Sequence, residues 1–315
     1  MSFNITTPNG LKIKLNNFLT YGGFTNSSIY SATTENDEEI AIKTVLYLED
    51  RILIDECRKE LLSIKKCKNL PFVMEHYEIF MTKEKLFIIM PKYKPIKHEP
   101  SIEQITKWFP QILIGLNAIH KQNIVHGDIK VNNLMLDEND NIRIIDFGIS
   151  VEIGSTERDI CAHIYKSKKR LENSIKTHKK ASKKAKLNND EEFFTINKFP
   201  SAEPYDDLVA AAYTVLTMFN NGKIVKTMVD DKYFPRETFE SILDEINSTN
   251  ISEKISDIIK KKCAGNDKTY QFFHEFLTEI LSFKSEPTID NIIDRMKENY
   301  SDILNIQELS ESNYN

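Results

Sequence analysis

The sequence predicts an α+β chain in two lobes, a small β-rich lobe followed by a larger helical one. Three observations lead there. Through residue 90 the apolar residues mostly alternate with polar ones in short runs, the period of half-buried strands, with one helical interval among them. Beyond Pro91 they recur every three or four residues, as in helices that bury one face. The 315 residues suffice for one large two-lobed unit or two small domains.

Leu11, Ile13 and Leu15 alternate with Lys12 and Lys14 and predict the first strand; Tyr21-Gly22-Gly23-Phe24 follows as a turn. Residues 29–32 and 40–45 are β-rich runs separated by Glu35-Asn36-Asp37-Glu38, the pattern of a hairpin. Ile52, Leu53, Cys57, Leu61 and Ile64 have helical spacing within 49–67, and 72–80 with 86–90 predict a further strand pair. The change of period puts the N-terminal lobe at 1–90, the connection at 91–94 and the C-terminal lobe at 95–315, with a tail over 300–315. Ser101-Ile102-Glu103-Gln104 has the pattern of a capping box. Ile105, Trp108, Phe109, Ile112, Leu113, Leu116 and Ile119 form the stripe of the helix it opens, and Pro110 is expected to kink that helix or mark a late start. Short strands near 134–136 and 142–145 flank a polar turn, and helical patterns cover 208–219, 236–247, 251–262, 268–282 and 288–297.

Composition narrows the function classes. No apolar run approaches the roughly 18 residues of a membrane span. Met1 to Gly10 lacks a basic-then-apolar signal pattern, so a cytosolic or nuclear chain is expected. Cys57, Cys67, Cys161 and Cys263 show no metal-ligand spacing and read as reduced thiols. Residues 166–186 hold ten Lys/Arg against the single acid Glu172, on a chain of net charge −5, so the remainder carries −14. Such an island implies a local electrostatic role, not general nucleic-acid binding.

The chemistry concentrates in His126-Gly127-Asp128-Ile129-Lys130-Val131-Asn132-Asn133, with Asp146-Phe147-Gly148 after it and Ala41-Ile42-Lys43 and Glu60 before it. Singly, Lys43 would be a surface lysine, Glu60 a solvated helix residue, Asp146 a turn residue and Asn133 a helix cap. In this order the segments resemble the protein kinase family: its Val-Ala-Ile-Lys strand, its His-Arg-Asp-Leu-Lys-x-x-Asn catalytic loop and its Asp-Phe-Gly motif. Ala118-Ile119-His120 and Asn123-Ile124-Val125 likewise resemble the run into that loop.

The resemblance implies a two-lobed kinase fold with ATP in the cleft and transfer of its γ-phosphate, Mg²⁺-dependent, to Ser or Thr of proteins. By the same resemblance Lys43, held by Glu60, binds the α- and β-phosphates. Asn133 and Asp146 ligate Mg²⁺, Asp128 orients the substrate hydroxyl, and Lys130 sits by the γ-phosphate. Gly22, Gly23, Met90, Lys92 and Tyr93 complete the ATP site, Met90 in the gatekeeper slot before the hinge. Tyr205-Asp206-Asp207-Leu208 and Phe273-His274-Glu275-Phe276-Leu277 resemble the casein-kinase-I-like and vaccinia-related group, with Asp207 anchoring the catalytic loop. A divergent viral or bacterial-effector kinase, working in a host cytosol, has a similar pattern.

The sequence departs from the family at two places. The three glycine slots of the phosphate loop hold Gly22, Phe24 and Ser27, and Gly127 replaces the Arg that pairs with a phosphorylated activation segment. A small-molecule phosphotransferase of the aminoglycoside- or choline-kinase type, and a pseudokinase acting as a binding module, therefore stand as alternatives. The segment 146–207 is long, and its Lys-rich part, 166–186, is either a solvated insert or a docking site for an acidic protein substrate or other anionic partner.

Overall fold

Strands β1 (Asn4–Thr6), β2 (Lys12–Tyr21), β3 (Ser27–Thr34), β4 (Glu39–Leu46), β5 (Glu78–Met81) and β6 (Lys85–Pro91) form one antiparallel sheet in the order β1-β2-β3-β4-β6-β5. The structure is a computed structural model and describes residues 4–22, 26–97, 99–158, 160, 166–173, 176, 199–222 and 251–304. The central strand β4 is buried on both faces, which is why its apolar run is continuous. Ile40 and Ile42 pack with Ile13, Ala32 and Ile89 on the outer face. Ala41 and Val45 share the inner face with Lys43, since side chains two apart point the same way. Pairing of Ala41 with Met90 and Lys43 with Ile88 puts those β6 residues on the same face.

Helix α1 (Arg51–Lys66) follows β4 and is capped by Asp50, whose carboxylate accepts from Ile52 N (2.9 Å) and Leu53 N (3.2 Å). Its buried stripe is Cys57, Glu60 and Ile64. Only part of the predicted strand at 72–80 forms. Phe72 takes a left-handed backbone (φ 58°), and Phe72, Val73 and Met74 are all buried in succession instead of alternating. They pair away from the sheet: Ile144 N donates to Phe72 O (2.8 Å) and Met74 N to Ile144 O (3.0 Å). This clip ties the two lobes together beside the connection, where Lys92 and Tyr93 lie between β6 and β7 (Lys94–Pro95).

The helical lobe contains α2 (Ile102–Lys121), β8 (Ile124–Val125), a 3-10 turn (Val131–Asn133), β9 (Leu134–Leu136), β10 (Ile142–Ile144) and β11 (Val151–Glu152). It continues with α3 (Pro204–Phe219), α4 (Ile251–Ile259), α5 (Asp267–Leu281) and α6 (Ile289–Asn299). The capping box at Ser101 and Gln104 is formed, with both reciprocal bonds present. Pro110 does not delay α2, which begins eight residues before it and continues past it. Phe109 of α2 meets Phe272 and Phe273 of α5, and Phe273 meets Phe219 of α3, so aromatic rings fill the centre of this lobe. The predicted helix at 236–247 lies outside the described residues. Among those described, no helix is long and apolar enough to cross a membrane.

Gly115 brings α2 against the inter-lobe clip: a Cβ there would stand 2.8 Å from Ile144 Cδ1 and 3.3 Å from Phe72 Cβ. Gly115→Leu is expected to destabilise the fold by about 1–3 kcal/mol through overpacking. Denaturant unfolding checks this, and an unchanged midpoint contradicts it.

Candidate active site

Lys43 reaches from β4 to carboxylates on two other elements. Its Nζ lies 2.6 Å from Glu60 Oε1 on α1 and 2.7 Å from Asp146 Oδ1 after β10. Burial alone would lower the Lys43 ammonium, but the two carboxylates outweigh it and hold the group above the usual lysine range. Burial dominates at Glu60 and pushes its carboxyl up against the pull of Lys43. At Asp146 burial also acts upward, but Lys43, His126 and the Gly148 N–H prevail and hold the carboxyl below the usual range. The result is a cation shared between the lobes, its partners drawn from residues 17 and 103 positions away.

The loop after β8 supplies the second group. Asp128 Oδ2 accepts from Lys130 Nζ (2.7 Å) and Asn133 Nδ2 (2.7 Å), and Asn133 Nδ2 also donates to Asp128 O (2.8 Å). His126 is fully buried. Its Nε2 donates to Ile145 O (3.0 Å), which leaves Nδ1 to accept from Asp128 N (3.3 Å). Phe147 packs edge-on against the His126 ring at 4.9 Å and is itself buried, so it turns inward while Asp146 turns toward Lys43. Asp146 has a left-handed backbone, φ 68°.

The base of this loop hangs on Asp207, near the N-terminus of α3. Its carboxylate accepts from His126 N (2.7 Å) and Gly127 N (2.8 Å) and contacts His120 Nε2 at 2.9 Å. Burial acts to raise Asp207, but these partners outweigh it and hold the carboxyl below its usual range. Gly127 has φ +78°, and a Cβ there would stand 3.0 Å from Ile160 Cβ. Ile160 is buried with Val125, Val151 and Ala202. An apolar plug thus covers the place where the family pattern has an arginine, and any larger residue at 127 meets both an unfavourable backbone and a filled space.

The structure brings Lys43, Glu60, Asp128, Lys130, Asn133 and Asp146 into two linked groups at the cleft. Met90 lies on the inner face of the sheet with Lys43, one residue before Pro91 ends β6. The side chains of Lys92 and Tyr93 turn to other tasks: Lys92 pairs with Glu39 (3.0 Å), and the Tyr93 hydroxyl accepts from Glu75 N (2.8 Å). Gly22 N donates to Ser27 O (2.9 Å) and closes the β2–β3 hairpin, while Gly23 and Phe24 lie outside the described residues. Cys57, Cys67 and Cys263 are buried free thiols, and burial pushes Cys67 up to about 12.

Part of the start of the basic island is buried. Lys166, Ser167 and Arg170 are buried; Ser167 Oγ donates to Asp206 Oδ1 (2.8 Å), Arg170 Nε stands 2.9 Å from Asp206 Oδ2, and Arg170 Nη2 donates to Ser201 O (3.1 Å). These contacts anchor the returning end of the segment to α3. Residues 177–186 lie outside the described residues. The sequence also carried no sign of Arg158, which donates to Gly148 O (3.1 Å), ten residues before it, and pairs with Glu56, 102 residues before it.

Among the described residues no cluster of three or more His, Cys, Asp and Glu forms a metal cage. A different donor set is present. Asn133 commits its Nδ2 to Asp128, and Asp146 commits Oδ1 to Lys43 and Gly148, which leaves Asn133 Oδ1 and Asp146 Oδ2 as hard oxygen donors. Two such donors fit a Mg²⁺ whose remaining ligands are phosphate oxygens and water. The arrangement can therefore gather phosphate charge between Lys43 and a cation and offer Asp128 Oδ1 to a hydroxyl.

Asp207 makes a pH prediction. Its folded carboxyl gives up a proton more readily than the unfolded one, so its contribution is complete above the unfolded value, about 3.9, and is lost as pH falls through the lower folded value. Asp207→Asn is expected to cost about 2–3 kcal/mol near neutral pH and to flatten the acid limb of stability against pH. Denaturant unfolding across pH checks both, and an unchanged acid limb contradicts them.

Comparison with known proteins agrees with this geometry. The family described as protein kinase domain matches residues 19–191. CBL-interacting protein kinase 2 of Oryza sativa subsp. japonica is 27% identical over 164 residues, 48% of this chain and 36% of that protein. Serine/threonine-protein kinase pakH of Dictyostelium discoideum is 33% identical over 139 residues, 41% of this chain and 27% of that protein. NUAK family SNF1-like kinase 1 of Mus musculus is 32% identical over 121 residues, 35% of this chain and 18% of that protein. The matches thus span between 18 and 36% of the length of these relatives. With the family match covering more than half of its length, the chain belongs to the protein kinase domain family.

Proposed function

We propose that this chain transfers the γ-phosphate of ATP to Ser or Thr hydroxyls of protein substrates, with Mg²⁺ as the metal. The observation that carries it is the seating of Lys43 between Glu60 and Asp146 across the two lobes. Phosphoryl transfer demands little covalent chemistry from a protein and much positioning and charge neutralisation. Lys43 binds the α- and β-phosphates, and Glu60 fixes its direction. Asp146 and Asn133 would hold Mg²⁺, which would supply positive charge against the phosphates. Asp128 accepts the hydrogen bond of the substrate hydroxyl and aims its oxygen in line, while Lys130 faces the charge that develops on the transferred group. Lys130 Nζ and Asn133 Nδ2 both donate to Asp128 Oδ2 and hold the direction of the carboxylate.

The Ser/Thr preference is supported by Lys130, two residues after Asp128, and by the likeness to the serine/threonine-protein kinase pakH. We place the chain nearest the casein-kinase-I-like group on Tyr205-Asp206-Asp207-Leu208. Phe24 and Ser27 stand in two of the three glycine slots of the phosphate loop, so more of the phosphate binding is expected of Lys43 and the metal.

Transfer of label from γ-labelled ATP to generic protein substrates tests the proposal. Lys43→Met and Asp146→Asn are each expected to abolish transfer while a cooperative melting transition persists. Near-native turnover in either variant contradicts the roles assigned. Label on a small metabolite alone points to a small-molecule phosphotransferase, and Mg·ATP binding without transfer points to a binding module.

The remaining basic stretch gives a separate prediction. The six lysines from Lys176 to Lys186 form a cationic run on an otherwise acidic chain, and such runs raise the local concentration of anionic partners within a Debye length of about 10 Å at 0.1 M salt. Changing them to Ser, with Lys166 and Arg170 kept, is expected to raise KM for acidic protein substrates at low salt and to leave KM for neutral ones alone. Equal KM values at low and high salt contradict a docking role.

A further inference from the structure

The segment after Gly148 is fastened to α1 by one stripe of that helix. Glu56, Lys59, Ser63 and Lys66 fall at spacings that share a face. Lys59 pairs with Glu157 (2.7 Å), Lys66 with Glu152 (3.1 Å), and Ser150 Oγ donates to Ser63 Oγ (2.8 Å). The two lysine pairs are about half exposed, and such pairs contribute at most about 1 kcal/mol each. Arg158 differs. Its side chain is 17% exposed and Glu56 is 30% exposed, and the same guanidinium that pairs with Glu56 also donates from Nη1 to Gly148 O at 3.1 Å. A planar fork holding two acceptors at once is a geometry that arginine alone supplies.

Both acceptors stand next to the cleft. Glu56 is one helical turn before Glu60, on the same face of α1. Gly148 stands beside the carboxylates of the Lys43 group: its N–H donates to Asp146 Oδ1 (3.4 Å), and an added Cβ would lie 3.9 Å from Glu60 Oε2. At Gly127 and Ile160 the fold has an apolar plug in place of an arginine that could hold a phosphate.

We propose that Arg158 is a positioning residue, which grips Glu56 and the Gly148 carbonyl together and so keeps Glu60 and Asp146 on Lys43 without a phosphate on the 146–207 segment. It touches neither substrate nor metal. It biases α1 and the Asp146–Gly148 turn toward the arrangement in which both carboxylates meet Lys43, and its loss depopulates that arrangement. The proposal rests on the reading of the chain as a phosphotransferase, but its physical content, the tether, exists whether or not phosphate is transferred.

The test compares phosphatase-treated wild type with Arg158→Met, Arg158→Lys, Glu56→Gln and the Arg158→Met/Glu56→Gln double variant. Arg58→Met, an exposed change on the same helix, serves as the control. Arg158→Met is expected to lower kcat about tenfold with KM for the protein substrate within about twofold. Arg158→Lys, which keeps one of the two bonds, should recover part of that loss, and the double variant should fall no further than the worse single one. Hydrogen exchange of the α1 amides, which needs no turnover, should quicken in Arg158→Met and stay as in wild type in Arg58→Met. If Arg158→Met fails to fold, Glu56→Gln carries both readouts. Unchanged kcat and unchanged α1 exchange, or losses that multiply in the double variant, overturn the proposal, as does a wild type active only after rephosphorylation of the segment. A wild type that transfers no phosphate while Arg158→Met still loosens α1 leaves the tether standing and overturns the functional reading alone.

Discussion

One buried ammonium organises this molecule. Lys43 sits on a strand buried on both faces, where a lone charge would be costly, and it is tolerable only because Glu60 and Asp146 meet it. Those two carboxylates come from different lobes. Every element that sets their position is therefore part of the same constraint: the register of β4, the capped start of α1, the clip at Phe72–Met74 and the turn that gives Asp146 its left-handed backbone. Removing one partner strands the others, which is why the three charges behave as a unit.

A second constraint fixes where the hydroxyl-orienting group stands relative to that unit. Asp207 holds the backbone of His126 and Gly127 from below, and the His126 ring in turn supports Phe147 and accepts from the Asp128 amide. A buried carboxylate on α3 thus sets the height of Asp128, while Phe147 sets the direction of Asp146. On the proposed function these are the two ends of one reaction coordinate, the metal side and the acceptor side, and a single histidine ring lies between them.

Much of this was legible in the sequence because the residues are close-set or periodic. The hairpin pattern at 29–45, the stripe of α2 and the Ser101 capping box follow from spacing, and the resemblance of 126–133 to a kinase catalytic loop brought Asp128 and Asn133 together. What was not legible depended on partners far along the chain. Residues 72–74 carry strand-like composition, yet Phe72 and Met74 bond Ile144 of β10 in the other lobe. Lys166 and Arg170 look like members of a solvated basic run, yet they are buried, Arg170 against Asp206. Arg158 carries no local pattern at all, since Glu56 lies 102 residues before it. Charge composition could not pick out the cations that the fold buries.

The most direct test of the central claim, that the charges around Lys43 act as one device, is a double-mutant cycle read by Mg·ATP binding. Calorimetry on wild type, Lys43→Met, Asp146→Asn and the double variant yields the coupling. The account predicts that the double variant binds about as weakly as the weaker single one, a coupling above about 1 kcal/mol between residues of one network. Losses that simply add would mean that Lys43 and Asp146 serve the nucleotide independently, and would contradict it.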